Sequence, residues 1–461
     1  MTDSHMHFNP YVPSAQFAAT DVIDRASDFA RFFADSGKAQ SEWAVGVEVE
    51  LFGFTRDTLE RLTPPQVQIV VEGFASRIVN KTEENGYLTE ATIEGAGGEH
   101  IGRLTLEPGG QIEFSGAHRR SLPEIERELQ GFLDQLSAIG EASGLVFIAS
   151  GFDPVRSISE QSWISKRRYE IMRPYLKTRG RRAWDMMTRT AATQVNLDYS
   201  DLEDLARKFA VATRMAPIAA AMFANSPFEE GKLSGYKSTR YAVWLETDPD
   251  RTGAFPVALD NGFSVPRFIE QISAVPMFFV RRDGQYIDYS GHSFGEFLGH
   301  CSCPQTPIFQ DFIDHLSTIF TEARLKPHIE QRSMDSGSIQ MVMAAAAFWK
   351  GLMYDVESLD SALKLIPGMT REEFLALQDE VARNGLEAKL RGEPIIKLAQ
   401  ASIELARSSL ERIAPDEARY MDVLEQLVVR ERVCPADILI RNFNGSWNGD
   451  IRKVIAHAQI G

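Results

Sequence analysis

Apolar and polar residues alternate with a period of two in four separated stretches of the chain: GVEVELFGF (46–54), LEPGGQIEFSG (106–116), TQVNLDY (193–199) and HIEQR (328–332). Side chains two apart on a strand share a face. Glu48 with Glu50, Gln111 with Glu113, Gln194 with Asn196, and Glu330 with Arg332 are therefore expected to point one way, while Val47, Val49, Ile112 and Val195 point the other. Glu107 joins this set across the Pro108-Gly109-Gly110 turn if no bulge intervenes. Helical spacing marks 20–40 and 120–143, the latter through Leu122, Ile125, Leu129, Phe132, Leu133 and Leu136. Residues 145–150 read as a buried strand. Residues 201–224 read as one or two helices with a break near Pro217.

Further along, 225–235 is rich in Gly, Ser and Pro and reads as an ordered loop. Residues 275–289 form a hairpin pattern around Asp283-Gly284. Residues 322–332 read as one strand whose charged face carries Arg324, Lys326, His328, Glu330 and Arg332, and from about 338 onward the pattern is helical. Strands early and helices late, without repeats or a clear linker, predict an α+β architecture.

A sheet face carrying at least five carboxylates is not stable with its charges unpaired, because each raises the pKa of the next. Alternating Glu and Val is also how any half-solvated strand reads. Four coincident pairs favour a shared cation, and oxygen ligands without a Cys or His cluster favour Mg²⁺ or Mn²⁺ over zinc. No GxxxxGK[ST] or GxGxxG cradle is present, so a nucleotide's phosphates must be neutralised by ions and arginines, with Arg332 placed to reach a phosphoryl group in transfer. The basic run 166–182 (including Lys166, Arg168, Arg173 and Lys177) and Arg240, near Trp244, offer clamps for a substrate carboxylate. GHSFG (291–295) matches a nucleophile elbow, but Ser293 ahead of Phe294 and Glu296 reads better as a helix N-cap.

Composition narrows the functional classes. Of 461 residues, 49 are Lys or Arg and 64 Asp or Glu, a net −15 that argues against nucleic-acid or anionic-membrane binding. The apolar runs 216–224 and 341–353 are too short or interrupted to span a bilayer, and the first residues lack the pattern of a signal peptide, so a cytoplasmic location is the default expectation. Cys301, Cys303 and Cys434 provide no disulfide framework. Cys301 and Cys303 beside His300 lack the spacing of a zinc clip.

Taken in order from about residue 44 to 450, GVEVELFGF, LEPGGQIEFSGA, RRYEIMRPYL, WDMMTRTAATQVNLDY, MFANSPFEEGKLSGYKSTRYAVWLETDPDRTG, VPMFFV, HLSTIFTEARLKPHIEQRSMD, AFWKGLMYD and NFNGSW resemble the plant and proteobacterial type of glutamate-cysteine ligase. The resemblance implies a glutamine synthetase-like fold with an antiparallel sheet forming a funnel, in one catalytic domain over 1–461. It implies ATP and Mg²⁺ as requirements and glutamate and cysteine as substrates, joined through a γ-glutamyl phosphate in the first step of glutathione biosynthesis. Glu48, Glu50, Glu107, Glu113 and Glu330 would then be the metal-ligand carboxylates, Arg332 with Glu330 the catalytic pair, and Gln111, Gln194 and Asn196 polar lining. Arg168, Arg240 and Trp244 match the glutamate-binding positions. Three departures stand out: Leu51 replaces a Lys, Ser333-Met334 replace Gly-Ala, and Phe278 replaces a Tyr whose hydroxyl lies in the cysteine pocket of relatives. The last opens two alternatives, a different amine acceptor or a catalytically silent relative that binds nucleotide or amino acid.

Overall fold

The alternating stretches all enter one nine-stranded antiparallel sheet in the computed structural model, which describes residues 18–460 apart from 24–25, 96, 300–303 and 367. The strands are β1 (Val45–Thr55), β2 (Ile78–Glu84), β3 (Tyr87–Glu94), β4 (His100–Leu106), β5 (Ile112–Gly116), β6 (Leu145–Ile148), β7 (Ala192–Leu197), β8 (Ala323–Leu325) and β9 (Ile329–Asp335). Their order is β8-β9-β7-β1-β5-β4-β3-β2, with β6 paired to the far half of β1. Strands β2, β3 and β4 were not expected. YLTEATIE alternates in burial as a half-covered strand does, and Asn85-Gly86 closes the β2–β3 hairpin with both residues at positive φ.

Among the helices are α1 (Ala26–Asp35), α2 (Leu122–Ser143), α3 (Arg167–Lys177), α4 (Leu202–Met222), α5 (Thr239–Leu245) and α6 (Ile339–Met353), of which α2, α4 and α6 cover the apolar face of the sheet. α2 starts with Pro123 and Glu124 in its first turn and stops at Gly144 in the left-handed region, φ 67°. α4 and α6 pack against β9, β7 and β1 and share one hydrophobic core with Val47, Val49, Ile112 and Val195. α4 runs unbroken through Pro217, contrary to the expected break. Its Ala- and Met-rich turns are buried on every side, and that burial outweighs the one backbone bond Pro217 lacks.

The 225–235 loop holds a small hairpin, Phe228–Glu229 with Lys232–Leu233. The hairpin around Asp283-Gly284 forms as expected, Phe279–Arg282 against Gln285–Asp288. Ser293 is an N-cap, its Oγ accepting the Glu296 N–H at 3.1 Å. Beyond 338 the described chain is helical but for one two-residue pair of strands at 389–394. No helix among the described residues is long and apolar enough to cross a membrane. His300, Cys301 and Cys303 lie outside the described residues.

Stretch 322–332 is not one strand. The chain reverses at Lys326-Pro327-His328, where the Lys326 N–H donates to the His328 carbonyl, so Arg324 lies directly across from Glu330. Pro327 has no N–H for a ladder and sits where the ladder stops.

Candidate active site

Register assembles the acidic face in rows. Glu90, Thr105, Glu113 and Glu50 follow one another across β3, β4, β5 and β1, while Arg103, Ser115, Glu48 and Gln194 make the next row. Asn196, Glu330 and Arg324 make a third across β7, β9 and β8. Glu107 stays in phase with Glu113, because the Glu107 N–H donates to the Gln111 carbonyl with no bulge in the turn. Gly110, φ 75°, makes that turn.

The carboxylates of β1 and β5 are short of positive charge. The Glu48 Oε1 accepts from Asn196 Nδ2 at 2.8 Å, and the Oδ1 of that Asn196 is buried without a hydrogen-bond partner. Glu50 accepts from the Ala192 N–H at 2.8 Å and from Gln194 Nε2 at 3.1 Å. Burial, and then Glu107, raise the Glu50 carboxyl to about 7. Glu113 is driven well above the usual carboxylate range by burial and by Glu107, Glu48 and Glu50, although the Thr105 hydroxyl donates to it. Lys166 is set near Glu107, and its amine is lowered chiefly by burial.

Four acids that repel one another, next to an orphaned amide oxygen, suit a hard divalent cation. As the side chains stand, no three His, Cys, Asp or Glu groups among the described residues enclose an ion.

Glu330 departs from the expected ligand set. It is fully buried and already balanced, with Arg324 on both oxygens at 2.6 and 3.0 Å, Arg332 Nη1 at 3.1 Å and Lys326 on Oε1. Burial works against its charge, but Arg324, Lys326 and Arg332 hold the carboxyl well below its ordinary range. An anion with three cations around it has no electrostatic need of a metal. Its evident work is on Arg332, whose Nη1 also donates to Gln194 Oε1 at 2.7 Å. Gln194 thus links Arg332 to Glu50.

Arg332 is aimed by a bulge. Between Gln331 and Met334 two residues of β9 oppose one of β7. The buried Gln331 braces the bulge, its Oε1 accepting the N–H groups of Arg332 at 2.9 Å and Ser333 at 3.3 Å while its Nε2 donates to the Ala212 carbonyl of α4 at 2.6 Å; the Arg332 N–H is shared with the Glu322 carbonyl at 3.0 Å. Read as the apolar-side neighbour of Arg332, Gln331 carried no sequence signal of this duty. Arg324, Lys326, Glu322 and Asp335 were likewise unassigned.

The substrate candidates sit beside this face. Arg240, on α5, is buried, with Nη2 donating to the Arg332 carbonyl at 2.7 Å and Nη1 to that of Ser333 at 3.3 Å, and with Nε left without a partner. Burial lowers its pKa, while Asp335, Glu50 and Glu322 pull the other way. Arg168, on α3, also has a buried Nε without a partner. Burial opposes its charge, yet Tyr169, Tyr286 and Glu107 hold its pKa above the ordinary value. Trp244 and Phe278 join Tyr169 in one apolar cluster. Phe278 is covered by the Arg251 guanidinium 4.0 Å above its ring and by Tyr175 edge-on at 5.2 Å. Gln111 does not line the acidic face as free amide. Its Oε1 accepts from the Gly109 N–H and its Nε2 donates to the Thr190 carbonyl, both at 2.9 Å, so it fixes the turn behind Glu107.

Residues 44–457 match Glutamate-cysteine ligase family 2. The chloroplastic glutamate-cysteine ligase of Brassica juncea is 35% identical over 439 residues, 95% of this chain and 84% of that protein. The chloroplastic enzyme of Arabidopsis thaliana is 36% identical, covering 95% and 83%. A crystal structure of the Francisella tularensis glutamate-cysteine ligase, solved in complex with AMP, superposes with a TM-score of 0.53 at 12% identity over 90% of this chain and 86% of that one, and shares the fold. The cytoplasmic expectation is not upheld, since these relatives are named as chloroplastic enzymes. By the match across its sheet, its acidic face and its helical C-terminal part, the chain belongs to the glutamate-cysteine ligase family 2.

Proposed function

We propose that the protein joins the γ-carboxylate of L-glutamate to the amino group of L-cysteine at the expense of ATP, through a γ-glutamyl phosphate, as the first step of glutathione biosynthesis. The observation that carries this reading is Arg332, tied by Gln194 to the acidic face and by Glu330 to the cation cluster, in a chain that matches the family from 44 to 457. One apolar core runs from Ile23 to Ile460, which supports a single catalytic unit over the described residues.

A carboxylate is a poor acyl donor, and phosphorylation turns one of its oxygens into a leaving group. Glu48, Glu50, Glu107 and Glu113 would hold Mg²⁺, or Mn²⁺ in its place, which when bound supplies charge neutralisation between glutamate and the phosphates of ATP. Arg332 presents a fixed guanidinium to the phosphoryl group as charge moves onto its oxygens. Arg168 and Arg240 hold a carboxylate of glutamate in place, with Trp244 near them. The amine must then arrive neutral and near the acyl carbon, with water kept out.

A second acceptor is favoured by one observation. Phe278 offers a ring and no hydroxyl, and a hydrogen bond discriminates between substrates far more sharply than apolar fit does. ADP release measured with glutamate and a panel of amines, with product identification, tests both. A γ-glutamylcysteine product supports the first reading, a faster non-thiol amine the second, and no turnover with any amine defeats both.

A further inference from the structure

At the end of β9, Asp335 is buried with its side chain almost sealed from solvent, and every donor it takes comes from the segment that leads into Arg240. Its Oδ2 accepts the Asn225 N–H at 2.8 Å and the Ser226 hydroxyl at 2.7 Å; its Oδ1 accepts the Ser238 hydroxyl at 2.8 Å. Both serines pass the constraint on to α5. Ser226 Oγ receives the backbone N–H of Arg240 at 3.3 Å, and Ser238, the N-cap of that helix, receives the N–H of Tyr241 at 3.0 Å. The carboxylate also lies 4.0 Å from Arg240 Nη1 and is the leading opposite charge on that guanidinium. Space is set for it alone, because a Cβ on Gly151 would fall 2.2 Å from its Cγ.

We propose that Asp335 is the positioning residue for Arg240. It fixes the first turn of α5 through Ser226 and Ser238, and so sets where the guanidinium stands between the β9 bulge and the acidic face. An anion that orders three donors and one guanidinium does so with charge-assisted bonds, about twice the strength of neutral ones. The inference rests on the reading of Arg240 as a holder of glutamate.

The test is a double-mutant cycle on the whole enzyme with Asp335→Asn, Arg240→Ala and the pair, following kcat/KM for glutamate, KM for ATP and the melting temperature. Asn keeps the shape, but turns an N–H₂ toward donors that need an acceptor. The expected result is a fall in kcat/KM for glutamate of about tenfold, the cost of one charge-assisted hydrogen bond, with KM for ATP held within about twofold. The double variant should be no worse than Arg240→Ala alone. Ser226→Ala, which removes one donor and leaves the carboxylate, should lower the same constant by a smaller factor and serves if Asp335→Asn folds poorly. Additive losses, or an unchanged glutamate constant in Asp335→Asn and Ser226→Ala while Arg240→Ala is impaired, would overturn the positioning role. If Arg240→Ala itself is unimpaired, the reading of Arg240 fails instead.

Discussion

Replacing Glu330 by Gln keeps the side chain's shape and removes its charge, which leaves Arg324, Lys326 and Arg332 around a buried point with no anion between them. In the structure that carboxylate is fully buried and takes Arg324 at 2.6 and 3.0 Å and Arg332 at 3.1 Å, with Lys326 on the same oxygen as the longer Arg324 contact. Breaking a buried pair by removing one partner costs about 3–5 kcal/mol, most of it the uncompensated charge that stays behind. Unfolding entropy of about 2.1 cal/mol/K per residue over 461 residues turns 4 kcal/mol into a drop of about 4 °C in melting temperature. The assay is thermal and urea unfolding at neutral pH in a chelating buffer, so that no divalent ion contributes. Because the three cations hold the folded-state pKa of Glu330 well below its unfolded value, its stabilisation is complete above the ordinary carboxylate range and is lost only as pH falls through the lower, folded value. Parent and variant should therefore converge in strong acid alone. An unchanged melt in chelator, together with the loss of Mg²⁺-induced stabilisation, would return Glu330 to the ion ligands and refute the charge balance argued above.

Glu50→Gln should act in the opposite direction on the ion-free protein. With a folded pKa of about 7, charged Glu50 costs stability that is absent below the ordinary carboxylate range and complete above pH 7, so the variant should be the more stable one at pH 8, by of the order of 1–2 kcal/mol. A pH series of urea melts checks this, and a less stable variant at pH 8 would contradict it; the same variant should need more Mg²⁺ for ATP use. Arg240→Ala is expected to raise KM for glutamate about tenfold or more through loss of a charged contact, and unchanged initial-rate curves would remove Arg240 from the substrate site. Gln331→Met takes the side-chain acceptor from the buried Ser333 N–H, at about 1–3 kcal/mol, while the Arg332 N–H keeps the Glu322 carbonyl at 3.0 Å, and should lower kcat through misaimed Arg332; a kcat within about twofold of the parent would show that the bulge aims without Gln331.

The Glu-Val alternation of β1 and the Gln-Val-Asn alternation of β7 were enough to put Glu48, Glu50, Gln194 and Asn196 on one face, because a period of two is a property of the strand itself. The turn at 108–110 likewise placed Glu107 with Glu113, and Asp283-Gly284 its hairpin, since both depend on local backbone chemistry.

What the tertiary structure alone decided is which charges meet. Along an extended strand Arg324 and Glu330 would stand about 20 Å apart, but the reversal at Pro327 sets them opposite each other and neutralises an acid that the pattern grouped with the ion ligands. The bulge at Gln331 breaks the period of two just where Arg332 must be aimed, and Asp335 reaches Arg240 across 95 residues of chain through two serines. Periodicity reports a residue's own strand. Electrostatic partnership depends on the neighbouring strand and its register, and these are fixed only when the whole sheet closes on its core.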